Sequence, residues 1–183
     1  MSMGVAPKYI GHTLGIITAY MTRFGPGPFP SEIKDLEIIT AIKEAQRSSC
    51  LNIVDNMRYG WIDLVWLRES ILMNGIDSLV LSKLDELDNV EDIYVCYDYI
   101  VDGKPLDYFP SSRAMAKKIK PVFLKLPGWK GECTSTVKKY ADLPSNAKNF
   151  IAKLESYFGV PISYVSVGPN RSQMIMIKDL LPL

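Results

Sequence analysis

Between Lys8 and Arg23 the apolar positions Ile10, Leu14, Ile17, Ala19, Tyr20 and Met21 recur near helical spacing, which predicts a helix over 8–23. Gly25-Pro26-Gly27-Pro28-Phe29-Pro30 ends it: proline cannot continue a helix, and three prolines restrict the backbone to a shaped loop. Leu36, Ile39, Ala41 and Ile42 predict a second helix within Ile33 to Ala45. Ser48 to Tyr59 has no clear period and reads as a loop. Leu64 to Met73 reads as a helix ended by Asn74-Gly75, and Ser78 to Leu81 as a buried strand. Ile93 to Ile100 and Pro105 to Tyr108 flank Val101-Asp102-Gly103-Lys104, whose Asp-Gly signals a hairpin. Val122 to Leu126 is a further strand. A helix begins near Pro144, lines up Ala147, Phe150, Ile151, Leu154, Tyr157 and Phe158, and stops at Gly159 before Pro161. Strands at Ile162 to Val167 and Gln173 to Ile177 complete the pattern. It predicts an α/β fold with a mixed sheet flanked by helices, and residues 1–183 read as one unit without repeat or second domain.

Composition narrows the classes. The chain has 183 residues, long enough to bury a core. Its 21 basic and 20 acidic side chains nearly cancel, which argues against nucleic acid or an anionic membrane as partner. No apolar run approaches the roughly 18 residues that span a bilayer, and the N-terminus has no signal core. Cys50, Cys96 and Cys133 are odd in number and lack C-x-x-C spacing, and His12 is the only histidine, so no zinc site is expected. Each cysteine reads as a small packed apolar residue in a reducing, cytoplasmic setting. His12 is expected to pack or hydrogen-bond within its helix. Trp61, Trp66 and Trp129 read as core, and Lys117, Lys118, Lys120 and Lys125 as a solvated face.

The chemistry concentrates in Ser82-Lys83-Leu84-Asp85, at the end of the strand Leu79-Val80-Leu81. A carboxylate only accepts, so Asp85 suits the adjacent N1–H and N2–H donors of guanine and nothing equivalent on adenine. The stem of Lys83 can lie over a ring face. Ser166-Val167-Gly168 ends another strand, in a turn whose N–H groups can meet a base oxygen. By itself a K-x-D at a strand end is also an ordinary surface turn.

Longer motifs set the context: TRFGPGPFPSE (22–32), RYGWIDLVWLR (58–68), MNGIDSLVLSKLDELD (73–88), DYFPSS (107–112), KPVFLKLPGWKGE (120–132), DLPSNAKNFIAKLESYFGVPISYVSVGP (142–169) and MIMI (174–177). In this order they closely resemble the C-terminal half of adenylosuccinate synthetase, from about Gly4 to Ile177. That family joins L-aspartate to IMP using GTP, on a fold like that of the P-loop NTPases. The resemblance implies a GTP site at Lys83, Leu84, Asp85, Ser166, Val167 and Gly168, with Asn170 where the family usually has Asp. It implies IMP, GTP and L-aspartate as ligands, a cytoplasmic homodimer as the full-length parent, and no nucleic acid or membrane partner.

One segment departs from the family. There a loop of type T-T-G-R-x-R-R precedes the Gly-Trp, and its arginines hold aspartate and phosphate, as guanidinium forks do. Here Asn52, Asp55, Met57 and Arg58 occupy that substrate loop, and only Arg58 keeps a family arginine. The acid substrate is held differently, the loop has drifted, or the nucleotide differs, as in phage 2-aminoadenylosuccinate synthetases acting on dGMP. Arg23, beside the Gly-Pro loop, either neighbours the active site or caps its helix. No G-x-x-x-x-G-K-S/T occurs. In the family the phosphate loop, the catalytic residues and the Mg²⁺ contacts lie in the N-terminal half. This chain is therefore expected to lack catalytic residues, to read as a piece of a longer ligase and to bind weakly alone; the alternative is a non-catalytic guanine-nucleotide module.

Overall fold

The computed structural model describes residues 11–49 and 56–179. Two mixed sheets organise it. In the first, β1 (Leu14–Thr18), β4 (Ser78–Ser82) and β8 (Ile162–Ser166) run parallel, and β9 (Met174–Met176) joins β8 antiparallel. The second contains β2 (Tyr20–Phe24), β3 (Met57–Asp63), β5 (Asp92–Val101), β6 (Lys104–Leu106) and β7 (Lys120–Pro127). There β3 and β5 are parallel, while β2 pairs β3 and both β6 and β7 pair β5 antiparallel. Helices α1 (Leu36–Ser49), α2 (Leu64–Asn74), α3 (Arg113–Ala116) and α4 (Ser145–Phe158) flank them.

The helix expected over 8–23 is not there. Residues 14–24 form two strands in two different sheets. The chain passes between them at Ala19, fully buried, whose N–H donates to the Ser82 carbonyl at 2.9 Å. The β-branched run Ile16-Ile17-Thr18 favours this outcome, and parallel pairing with β4 decides it. His12 consequently lies outside any helix, with Nε2 2.8 Å from the Ser78 hydroxyl. Residues 57–59, expected as loop, begin β3. That strand is buried on both faces over Tyr59–Asp63, so it shows no alternation to read.

The remaining elements obey their local signals. Asp35 Oδ1 accepts from the Glu37 N–H at 2.9 Å and starts α1. Asp63 caps α2 by accepting from the Trp66 N–H, and Gly75 closes it at φ 57°. The face of α4 reads as its spacing predicts, with Ala147, Phe150, Ile151 and Leu154 buried and Gly159 at φ 69° behind it. These side chains share a core with Leu79, Leu81, Leu84, Leu87, Ile162 and Val165, so the ends of β4 and β8 rest on rigid packing.

The tryptophans pack as expected: Trp61 and Trp129 are buried, and Trp66 stacks on Phe109 at 4.7 Å. Cys96 is buried. Cys133 is exposed, contrary to expectation, beside the Ser135 hydroxyl at 3.1 Å in a loop without regular pairing. Cys50 lies outside the described residues. Lys118 and Lys125 form exposed ion pairs with Asp102 and Asp92.

Candidate functional site

Neighbouring parallel strands β4 and β8 end side by side, and the segments that leave them are joined where the Leu84 N–H donates to the Ser166 carbonyl at 3.3 Å. In open α/β sheets such carboxyl ends are where ligands settle. The chain turns sharply on leaving each strand. Lys83 adopts φ 64°, uncommon for a residue with a side chain, and sends Asp85–Leu87 into a 3-10 turn. Beyond β8, Val167 is buried and Gly168 sits so close to Gln173 that a Cβ would lie 2.2 Å from its Nε2. Of the expected site residues the structure joins Leu84 directly to Ser166, and Asp85 alone of the six lines the space beyond.

Between these turns is a cavity of about 310 Å³, walled by Asp85, Asp88, Ser135, Asn170 and Gln173. Its wall beyond β8 is pinned. The Gln173 N–H donates to the Asn170 carbonyl at 2.9 Å, the Asn170 N–H and side-chain amide donate to Gln173 Oε1, and Gln173 Nε2 donates to the Ser135 carbonyl at 3.0 Å. On the opposite side Asp88 accepts from the Trp129 indole N–H and from the backbone N–H and hydroxyl of Thr134, at 2.7–2.9 Å.

Asp85 differs from Asp88. Among the described residues the one hydrogen bond to its carboxylate comes from its own backbone N–H. Burial pushes its pKa up to about 6, with further increases from Glu86 and Asp88 and a decrease from Lys83. A half-buried acceptor without an outside donor faces a nucleobase-sized space.

Lys83 does not turn to it. Its ammonium lies 3.6 Å from Glu86 Oε1, 3.4 Å from Tyr20 Oη and 5.3 Å from the centre of the Tyr20 ring. Behind it runs a buried chain of donors. Tyr59 Oη donates to Gln46 Oε1 at 2.9 Å, Gln46 Nε2 donates to Tyr20 Oη at 2.5 Å, and Tyr20 Oη donates to Glu86 Oε2. Burial first, then Glu86, drives the Tyr20 pKa far upward, so its phenol stays protonated. Sequence reasoning missed these four residues. One signal was present: Gln46 falls four positions after Ile42, on the buried face of α1.

The Gly-Pro loop lies at the second sheet. Arg58 stands opposite Arg23 in the β2–β3 register. Its guanidinium forks onto Glu32 at 2.6 and 2.5 Å and donates from Nη1 to the carbonyls of Gly27 and Gly25 at 2.9 and 3.3 Å. Arg23 lies beneath the loop, where a Cβ on Gly27 would meet its Nη2 at 2.4 Å. It belongs to β2, so it caps no helix. Met57 and Arg58 border an open hollow with Gly25, Pro26 and Asn56; Asn52 and Asp55 fall outside the described residues. Among the described residues no group of three or more His, Cys, Asp or Glu side chains is gathered for a metal ion, and no helix is long and apolar enough to cross a membrane.

The chain is similar to known proteins over nearly all its length. The family model for adenylosuccinate synthetase matches residues 1–175. Adenylosuccinate synthetase of Caldicellulosiruptor bescii is 42% identical over 176 residues, covering 96% of this chain and 41% of that protein. Adenylosuccinate synthetase 1 of Laccaria bicolor is 40% identical over 174 residues, 94% of this chain and 40% of its own length. The structure of fully ligated adenylosuccinate synthetase from Plasmodium falciparum superposes with a TM-score of 0.88 at 32% identity, over 96% of this chain and 42% of that one. The chain thus spans about two fifths of the length of these relatives. Its fold, a mixed α/β arrangement flanked by helices, is theirs, and the chain belongs to the adenylosuccinate synthetase family.

Proposed function

We propose that this protein serves the GTP-dependent ligation of L-aspartate to IMP, giving adenylosuccinate, GDP and phosphate, and that residues 1–183 act as one unit supplying the guanine site. The observation that carries this reading is Asp85: a half-buried carboxylate, without a donor from any other described residue, at the joined ends of two parallel strands. In the proposed complex Asp85 accepts N1–H and N2–H of guanine, and the backbone at Val167 and Gly168 meets the base oxygen. Leu84 and Ser166 hold the two turns together, and the Lys83 stem covers the ring. Adenine offers no matching pair of donors.

The acid and phosphate side is assigned to the loop at 52–58, with Arg23 beneath the Gly-Pro loop as its neighbour. Arg58 is engaged by Glu32 and the loop carbonyls, so its part there is to shape the loop. Mg²⁺ at the GTP phosphates, a homodimeric assembly and a cytoplasmic setting complete the proposal by family analogy.

Competition binding tests the reading. The chain is titrated with fluorescently labelled GDP, then challenged with GDP and with ADP. Displacement by GDP at a concentration at least tenfold below that needed for ADP supports the guanine site; equal displacement, or no binding, contradicts it.

A further inference from the structure

We propose that Glu86 is a positioning residue for the base site: it holds the Lys83 ammonium away from Asp85, and the buried chain Tyr59–Gln46–Tyr20 fixes Glu86 for that task. The inference rests on the guanine-site reading above.

Lys83 and Asp85 lie on one turn with opposite charges, and a direct ion pair between them would fill the oxygens that the base needs. The ammonium is found instead at Glu86 Oε1 and over the Tyr20 ring. Glu86 is 7% exposed, an unusual placement for a carboxylate, and takes the Tyr20 hydroxyl on its other oxygen. Each member of the chain is used with the right polarity. Tyr59 donates to the Gln46 carbonyl oxygen, the Gln46 amide donates to Tyr20, and Tyr20 donates to Glu86. Tyr20 and Tyr59 are 0% and 1% exposed, so water does not compete for these groups. The carboxylate therefore has little rotational freedom, and the ammonium it attracts is fixed with it. Held this way, the Lys83 ammonium leaves Asp85, which lines the cavity, with no hydrogen bond to its carboxylate beyond that of its own backbone N–H among the described residues.

When the charge at 86 is removed, the Lys83 ammonium loses its counter-ion, and Asp85 is the nearest carboxylate in sequence. Lys83 then turns to Asp85, and the base is excluded by a cation already in its place. Without an ammonium at 83, loss of the charge at 86 has no such consequence.

A double-mutant cycle on the full chain tests this, with labelled GDP as the probe and wild type, Glu86→Gln, Lys83→Met, Lys83→Met/Glu86→Gln and Asp85→Asn compared. The expected result is that Glu86→Gln weakens binding about tenfold in the wild-type background and less than twofold on Lys83→Met. A glutamate that only supports the fold weakens binding, and lowers the melting temperature, equally in both backgrounds; that result overturns the inference. If Asp85→Asn weakens binding while Glu86→Gln does not, the positioning role fails and the guanine site stands. If wild type binds no GDP, or Asp85→Asn is without effect, the site itself is misassigned and the inference falls with it.

Discussion

The ammonium of Lys83 lies 3.6 Å from Glu86 Oε1, although Asp85 is the nearer carboxylate along the chain. A base-reading acid is useful only while its oxygens are unclaimed, so a change at Asp85 itself should be felt first. Asp85→Asn replaces a charged double acceptor by a group with one acceptor and one donor, which opposes one of the two guanine donors. GDP affinity is expected to fall about thirtyfold, about 2 kcal/mol. Titration of the variant with labelled GDP checks it, and ADP affinity should not fall with it.

Protonation gives the second expectation. In the proposed complex Asp85 binds guanine as the carboxylate, and burial raises its pKa to about 6. GDP affinity should be near its full value at pH 7.5 and fall by about tenfold for each pH unit below 6. Binding curves between pH 5 and 8 read this directly, and the decline should vanish in Asp85→Asn.

A third concerns stability. Asp63 is fully buried, accepts from the Tyr99 hydroxyl at 2.5 Å and caps α2, and burial pushes its pKa up to about 6. In the unfolded chain the value returns to about 3.9. Between these values the folded state holds the extra proton, so this group's contribution grows as the pH falls through 6 and is complete near 4. The full swing is on the order of 3 kcal/mol. Asp63→Asn should flatten the dependence of the denaturation midpoint on pH between 4 and 7.

The Arg58 clamp gives a fourth. Its pair with Glu32 is about a quarter exposed on each side, which places its worth near the surface-pair range. Arg58→Lys loses the fork and the reach to the loop carbonyls and should cost about 1 kcal/mol, a drop of about 3 °C in Tm. Limited proteolysis at Gly25–Gly27 should quicken in the same variant, because the carbonyls of Gly25 and Gly27 are then released.

Much of the fold is legible where local signals decide it. Gly75 and Gly159 mark helix ends that the structure keeps, and the Asp102-Gly103 hairpin stands between β5 and β6. Residues 14–24 mislead because their apolar spacing satisfies a helix while their pairing partners lie 33 to 64 residues away. The turns at Lys83 to Asp85 and Ser166 to Gly168 are visible through their residue types and family resemblance. The chain behind them is not. Tyr20 and Glu86 are 66 positions apart, and an isolated Glu between Asp85 and Leu87 looks like a solvated residue until both sheets are assembled around it.

Whether the guanine base lies between the turns after β4 and β8 is decided by a crystal structure of the chain soaked with GDP. The expected result is a base with N1 and N2 at about 2.7–3.1 Å from the Asp85 carboxylate, and the Lys83 ammonium still on Glu86. A base seated elsewhere, or Lys83 bonded to Asp85 with the cavity closed, would contradict it.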